Sequence, residues 1–404
     1  MENLNIELNS GPDTGKLPRK PPRSSLTVLG WIKQNLFSSW LQTLLTVVSA
    51  AVVGYVAINT LQFIISADWS VITANFKLLM VGQFPAEEVW RIWSVLGLTS
   101  ALLGASWGIW KGSIGHVAVT IGALMLIMLV MPFVEPSTRF ILGGNIALLL
   151  IMFYLGQKFA KMKLPVLILW ILLVPITISL LNGFGIIAPV NSNIWGGFLL
   201  TMLIAAVSII CSFPLGLLLA LGRRSKLPAI KWFSIIYIEL IRGIPLITVL
   251  FVFQLMLPLF LGNSIEISNV LRAMIGFTLF GAAYLAENIR GGLQSLPRGQ
   301  FEAAQALGLN YPRMMGLVIL PQALRAVIPA MVGQFISIFK DTSLVAIVGL
   351  TDLLGMGQKI IANPEFLGKA MEVFLFIALI YFIFCSLMSH VSRRLEQSLG
   401  VGER

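Results

Sequence analysis

The sequence predicts an all-α fold, a polytopic transmembrane helical bundle, and three observations carry that prediction. Of 404 residues, 57% are hydrophobic and 11% charged, where an ordinary soluble domain carries roughly 25% charged residues. About ten apolar runs are each long enough to cross a bilayer at roughly 20 residues per crossing. The 28 lysines and arginines are also distributed unevenly between the alternate connections. An ordinary soluble protein is thereby excluded. The net charge of +11 would point to nucleic acid in a soluble chain, but loop placement accounts for most of it, so no nucleic-acid partner is expected.

The first 24 residues are polar, Pro-rich and basic and too poor in apolar side chains to order a core, so residues 1–39 are expected to form a disordered cytoplasmic tail. Gly11-Pro-Asp-Thr-Gly15-Lys16 imitates a phosphate-binding loop there. It has three residues between its glycines where four are needed, and Leu17 stands where Ser or Thr belongs. The run at 40–65 is longer than the apolar part of a signal peptide, lacks a cleavage pattern, and reads as an uncleaved first crossing. Further runs follow at 92–110, 117–134, 140–157, 164–182, 195–222, 244–262, 270–288, 323–349 and 371–391. The first five form an N-terminal block over 40–194, the second five a block over 195–393, and 394–404 is expected to be a cytoplasmic tail.

With the first tail inside, the outer side collects Lys77, Arg91, Arg139, Arg272, Lys359 and Lys369. Lys340 lies within the ninth run, and the remaining 21 of 28 basic residues fall inside. Losing one run would scramble the alternation, so the count supports a multi-pass protein of the plasma (bacterial inner) membrane with both termini cytoplasmic. Trp40, Trp69, Trp90, Trp93 and Trp195, near run ends, read as interfacial anchors.

The longest inside connection, 288–325, exceeds the roughly 15 residues beyond which a loop is usually functional or disordered. Ser295 followed by Leu296 and Pro297 marks a helix start, Phe301 to Leu307 is Ala-rich, Gly308 is placed as a terminator, and Pro312 can open a second short helix. Helices of about two turns are marginal in water and need a partner surface. Phe301, Ala304 and Leu307 recur at i, i+3, i+6, and the small Ala303 leaves room for close approach. The stripe suits either a groove on a soluble protein or the membrane surface, and the residues alone leave both open.

The run Glu302-Ala303-Ala304, three residues, Gly308, nine residues, Val318, one residue, Leu320-Pro321 resembles the EAA signature of permease subunits of binding-protein-dependent ABC importers, with Val318 where isoleucine is usual. Around it, YIELIRGIPLITVLF (237–251) and FKDTSLVAIVGLTDL (339–353) are similar to the polar amino-acid branch of that family. The resemblance covers roughly 195–393, and the five added spans look like the general L-amino-acid importers. It implies a non-enzymatic subunit without a cofactor of its own, ATP being bound by a partner ATPase. The implied partners are a second permease subunit, a dimer of ATP-binding subunits, an extracytoplasmic amino-acid-binding protein and membrane lipid. It further implies ATPase coupling through Glu302, Ala303, Ala304, Leu307 and Gly308, with Glu302 a charged contact or a tether of the loop and Gly308 the turn that sets the angle between two helices.

Ionisable groups within a span are functional candidates because burying them is costly. Lys340 and Asp341 are adjacent and followed by Thr342 and Ser343; on an unbroken helix neighbours point about 100° apart. They can serve an internal ion pair or line a polar passage for a zwitterionic amino acid. Pro245 breaks the start of the seventh span, and Pro214 and Pro329 are expected to interrupt the sixth and ninth, freeing backbone groups for a solute or simply kinking the packing. Glu239 with Arg242 and Glu287 with Arg290, at i, i+3, are expected to pair. Cys211 and Cys385 read as small hydrophobes, and His116 and His390, far apart in sequence, form no metal or nucleophile constellation. The rival function is an ion-gradient-driven secondary amino-acid transporter with Lys340 and Asp341 as its coupling site.

Overall fold

The computed structural model describes residues 28–400 apart from 133, 160–161, 186 and 263–265. Most of the expected N-terminal tail, with its imitation phosphate loop, lies outside the described residues. Residues 28–36 correct that expectation: they form a helix, α1 (Val28–Leu36), whose apolar residues recur at helical spacing. Ser39 then caps α2 (Trp40–Ser66), its hydroxyl accepting the Gln42 N–H at 3.3 Å. α2 buries none of its residues, as expected of a helix apolar on all sides whose solvent is lipid. Among the described residues those up to Ala67 form one compact unit and those from Asp68 on a second, so the stretches 68–194 and 195–393 share a unit.

The second unit begins with two short helices, α3 (Ser70–Ala74) and α4 (Phe76–Val81). There follow α5 (Val89–Trp110), α6 (Ser113–Val130), α7 (Pro136–Lys158), α8 (Lys163–Asn182), α9 (Gly197–Arg223) and α10 (Pro228–Arg242). α11 (Leu246–Phe251) continues through a π turn into α12 (Leu257–Leu261). The rest is α13 (Asn269–Ser295), α14 (Arg298–Ala306), α15 (Tyr311–Met314), α16 (Leu320–Asp341), α17 (Leu353–Ile361) and α18 (Ala370–Leu399).

Eight helices among the described residues are long and apolar enough to cross a membrane, nine if one bent pair counts as a span. The shortfall from ten is α6: Pro132 forces Met131 into extended backbone, and the 18-residue helix is about 27 Å long against an apolar core of about 30 Å. The bent pair is the expected seventh span, where α10 and Leu246–Leu261 meet at 107° across Gly243–Pro245. Pro214 and Pro329, expected to interrupt their spans, instead lie inside continuous helices. At the C-terminus α18 runs on to Leu399, so the expected tail from 394 is helical for most of its length.

Small residues set the closest helix approaches, as membrane packing favours. On α5, a Cβ at Gly104 would lie 2.2 Å from the Leu149 carbonyl oxygen and one at Gly108 2.3 Å from that of Phe153, both on α7. Gly216 of α9 meets α13 at Ala282 and Leu285, and Gly292 of α13 meets Ala323 of α16 in the same way. α13 is the most enclosed of the long apolar helices among the described residues. At the start of α9, Gly82 (φ +64°) lies so close to Gly196 that a Cβ would come within 2.5 Å of its Cα. The neighbouring Trp195 is consequently 3% exposed, a core residue and not the interfacial anchor expected of it.

Arg91 departs furthest from its expected place. Counted among the outside charges, it is 0% exposed, with Nε 2.9 Å from Glu88 and its two Nη groups donating to the carbonyls of Leu181 at 3.2 Å and Ala188 at 2.9 Å. One guanidinium thus ties the start of α5 to the end of α8.

Candidate functional site

The connection that carries the Glu-Ala-Ala run is shorter than expected. α13 extends through Ser295, so that residue ends a helix, and α14 begins at Arg298 after Pro297, leaving 296–310 between α13 and α15. The expected stripe divides between two faces. Phe301 and Ala304 face the chain, packed on a cluster that includes Ala220, Ile238, Ile289, Met315 and Ala323, whereas Leu307 is 79% exposed. Glu302, Ala303, Gln305 and Ala306 are exposed with it. Two further contacts hold α14 against the bundle: the Arg224 guanidinium stands 5.3 Å over the Phe301 ring, and Gln322 Nε2 donates to Gln300 Oε1 at 3.1 Å.

Gly308 ends this helix at φ +73°. Its N–H donates to the Gln305 carbonyl at 2.9 Å and the Leu309 N–H to that of Ala304 at 3.2 Å, the paired bonds of a Schellman cap. No atom lies within 4 Å of a Cβ built there, so the backbone conformation alone demands glycine. Gly308→Ala is therefore expected to destabilise the turn by about 1–2 kcal/mol and Gly308→Asn by less; thermal unfolding of the two variants would check the order.

Beside α14 the ends of α9, α10 and α13 are tied by charge. Arg223 pairs with Glu239 at 2.8 Å, and Glu287 meets Arg290 at 2.5 Å, Arg242 at 3.5 Å and Arg223 at 3.8 Å. The Glu287–Arg290 pair is the one its spacing predicts. Glu239 chooses Arg223 over Arg242, because a residue on the neighbouring helix comes nearer than the one three positions along its own.

Farther along the chain α16 stops at Asp341 and a 3-10 segment, Thr342–Ala346, follows, with Ile338, one turn earlier, beside Gly281 in the middle of α13. Lys340 is exposed and Asp341 half-buried, and neither joins an ion pair among the described residues, so the local pairing weighed for them is not made. Thr342 is buried, its hydroxyl donating to the Phe339 carbonyl at 2.7 Å and lying 3.5 Å from the Tyr381 hydroxyl. Ser343 donates to the Lys340 carbonyl at 2.9 Å. The four residues therefore do not form one polar strip: Thr342 belongs to the wall, while Lys340 and, in part, Asp341 are open. Pro245 is exposed at the elbow between α10 and α11, and the next residue, Leu246, is buried in the same cluster as Ile338 and Val345, which flank Lys340 to Ser343.

Two polar features escaped the sequence. Asp352, 0% exposed, caps α17 by accepting the N–H groups of Gly355 at 2.9 Å and Leu354 at 3.3 Å, and takes the Tyr381 hydroxyl at 3.3 Å. Burial raises its carboxyl from the ordinary 3.8 to about 6, with these hydrogen bonds opposing the rise. Since the folded-state value lies above the unfolded one, the associated stability is full below about pH 4 and is lost as pH rises through about 6. Asp352→Asn keeps an oxygen acceptor and is expected to remove that slope, on the order of 2–3 kcal/mol between pH 4 and pH 7, in thermal unfolding measured across that range. The second feature is a polar cavity of about 490 Å³ lined by Asn191, Asn193, Glu266, Ser268, Asn269 and Arg272, at the end of α13 away from α14. Arg272 donates there to the Gln254 carbonyl at 2.5 Å and to the Asn269 side chain. The tertiary fold also brings the His116 and His390 rings to 5.7 Å, although no group of three metal-binding side chains gathers among the described residues.

Comparison with known proteins meets this geometry in the same half of the chain. Residues 212–400, which hold the second part of α9 and all of α10 to α18, match the family described as binding-protein-dependent transport system inner membrane component. The inner membrane amino-acid ABC transporter permease protein YhdY of Escherichia coli (strain K12) is 36% identical over 403 residues, covering 95% of this chain and 96% of that relative. The chain belongs to the binding-protein-dependent inner membrane components. A second relative, the glutamate/glutamine/aspartate/asparagine transport system permease protein BztC of Rhodobacter capsulatus, is 35% identical over 430 residues, at 95% and 96% coverage. At 95% of this chain the likeness to both extends through the N-terminal block, so α2 to α8 are part of what this chain shares with the two relatives. A solved amino acid ABC transporter with histidines aligns at 30% identity over 50% of this chain and 92% of that one, with a TM-score of 0.46. As an inner membrane component the chain is a permease subunit, the membrane part of a transport system, and the EAA resemblance falls on residues within the matched region.

Proposed function

We propose that this permease passes amino acids, handed over by an extracytoplasmic binding protein, across the plasma membrane, and that a separate dimer of ATP-binding subunits drives it through α14. A second permease subunit completes the pathway, and both termini lie in the cytoplasm. The observation that carries the proposal is the division of α14 into two faces. Phe301 and Ala304 fasten it to a cluster shared by α9, α10, α13 and α16, while Glu302, Ala303 and Leu307 are left outward, exposed among the described residues. A push on that outer face reaches helices whose glycines bring backbone against backbone, and close-packed elements move as bodies rather than deform. The arginines at the ends of α9, α10 and α13, on the same side as α14, support the cytoplasmic assignment of that end.

For the pathway, Lys340 is exposed near the end of α16, and an ionised lysine is too costly to hold against lipid. Its exposure fits a water-filled passage or a face covered by the second permease, with Asp341 beside it for the ammonium of a zwitterion; Ser343 borders the same surface, Thr342 supports it from the wall, and Pro245 hinges the α10–α11 elbow. The test is cross-linking from Leu307→Cys in membranes carrying the whole transport system. Attachment to the ATP-binding subunit, changing in yield on addition of ATP, is the expected result, and labelling by lipid alone would sink the coupling role.

A further inference from the structure

The N-terminal block holds a feature apart from the residues placed in coupling and in the pathway. α5, α7 and α8 enclose a groove of about 330 Å³ lined by apolar side chains, among them Leu98, Ala101, Ile109, Met152, Leu155 and Ile176. Close contacts lock the helices that form it together. Gly104 and Gly108 press α5 onto α7, and Trp170 Nε1 of α8 donates to Ser106 Oγ of α5 at 2.9 Å. Along α8 the lining runs from Met162 to Ile176, about 21 Å of helix, and along α5 from Leu98 to Ile109, about 16 Å. One leaflet of a bilayer has an apolar depth of about 15 Å.

The charge at one end of this groove is of a single sign. Lys111 follows the last residue of α5, Lys158 ends α7 and Lys163 begins α8, and all three are exposed. They are level with one another, since α5 and α7 run in the same direction with Gly108 beside Gln157, while α8 returns past them with Trp170 beside Ser106. Between Val89 and Asn182 the one carboxylate is Glu135, which precedes α7 at the opposite end. We propose that this groove is a specific site for one anionic phospholipid of the leaflet at the lysine end, with an acyl chain between α5, α7 and α8 and the phosphate among Lys111, Lys158 and Lys163.

A neutral lipid would fill the groove equally well but gain nothing from the lysines, and a free phosphate would meet the lysines without the groove. A protein helix in the groove would have to bring carboxylates to the same three ammonium groups. The anionic lipid alone satisfies both parts, because basic clusters at helix ends attract acidic headgroups while each buried methylene adds to chain binding.

Native mass spectrometry of the full chain, released from membranes in mild detergent and offered equal phosphatidylglycerol and phosphatidylcholine, tests this. One phosphatidylglycerol per chain should be retained with at least about tenfold preference, and the triple variant Lys111→Gln, Lys158→Gln, Lys163→Gln should bring the preference to about twofold or less. Ala101→Phe, which fills the groove and keeps the lysines, should abolish retention. Should that variant not fold, dihexanoyl phosphatidylglycerol, whose chains are too short for the groove, should compete with the long-chain lipid at least about tenfold less well on the unaltered protein. Equal retention of the two long-chain lipids, preference unchanged in the triple variant, or equal competition by the short-chain lipid would overturn the proposal.

Discussion

Ala303→Trp is expected to reduce ATP-driven uptake at least about tenfold, the equivalent of about 1.4 kcal/mol or more of lost coupling, while leaving the permease folded and inserted. Ala303 lies on the outward face of α14, so the bulky side chain points away from the described residues of this chain. The cost falls only on a partner that must come close to the helix. Ala304, one position along, serves as the contrast: it is 2% exposed and packed on the shared cluster, and Ala304→Trp should fail by destabilising the fold itself. Measuring uptake, ATP hydrolysis and thermal unfolding for both variants separates the two faces. Normal uptake by Ala303→Trp would mean that α14 is not the coupling surface. Glu302→Gln should give a milder loss of the same kind, because it removes a charge and leaves the surface open.

The second large effect is on stability. Arg91→Met is expected to cost about 3–5 kcal/mol, since it removes the buried member of the ion pair with the part-exposed Glu88 and leaves the enclosed carbonyls of Leu181 and Ala188 without their donor. Arg91→Lys should recover part of this: it keeps the charge but cannot reach three acceptors on two elements with one planar fork. The loss should appear as a lower thermal midpoint and as faster proteolysis in the connection after α8, where Ala188 lies. A variant as stable as the unaltered protein would show that the guanidinium contributes nothing net to this junction.

Arg91 also shows where sequence reasoning runs out. Its neighbours are apolar, it stands near the end of a run, and counting charges by side assigns it to a loop; its acceptors lie about ninety residues away, beyond any local pattern. Trp195 fails in the same way, since its burial depends on the approach of Gly82 to Gly196. So does Glu239, whose partner Arg223 is on another helix. Asp352 gave no signal beyond being an acid before Leu-Leu-Gly, because its N-cap role is local while its enclosure by Tyr381 is not.

What was legible followed from periods and propensities that need no partner. The apolar runs marked the positions of the long helices, and Gly308 was placed at a helix end where the structure shows φ +73°. The EAA run was recognised by spacing, yet the facing of its residues was not: Phe301, Ala304 and Leu307 share a stripe in an isolated helix, but α14 is short and rotated so that the stripe straddles the boundary between bundle and solvent. In the pathway, adjacency made Lys340 and Asp341 conspicuous, while the 3-10 segment that sends Thr342 into the wall depends on Tyr381 of α18.

The most direct measurement is amino-acid uptake by proteoliposomes containing this chain, its permease partner and its ATP-binding subunits, with binding protein supplied on the receiving side. Uptake should require ATP and binding protein together, persist when ion gradients are collapsed, and be lost in Ala303→Trp. Uptake by the chain without ATP-binding subunits, driven by an imposed ion gradient, would contradict the account.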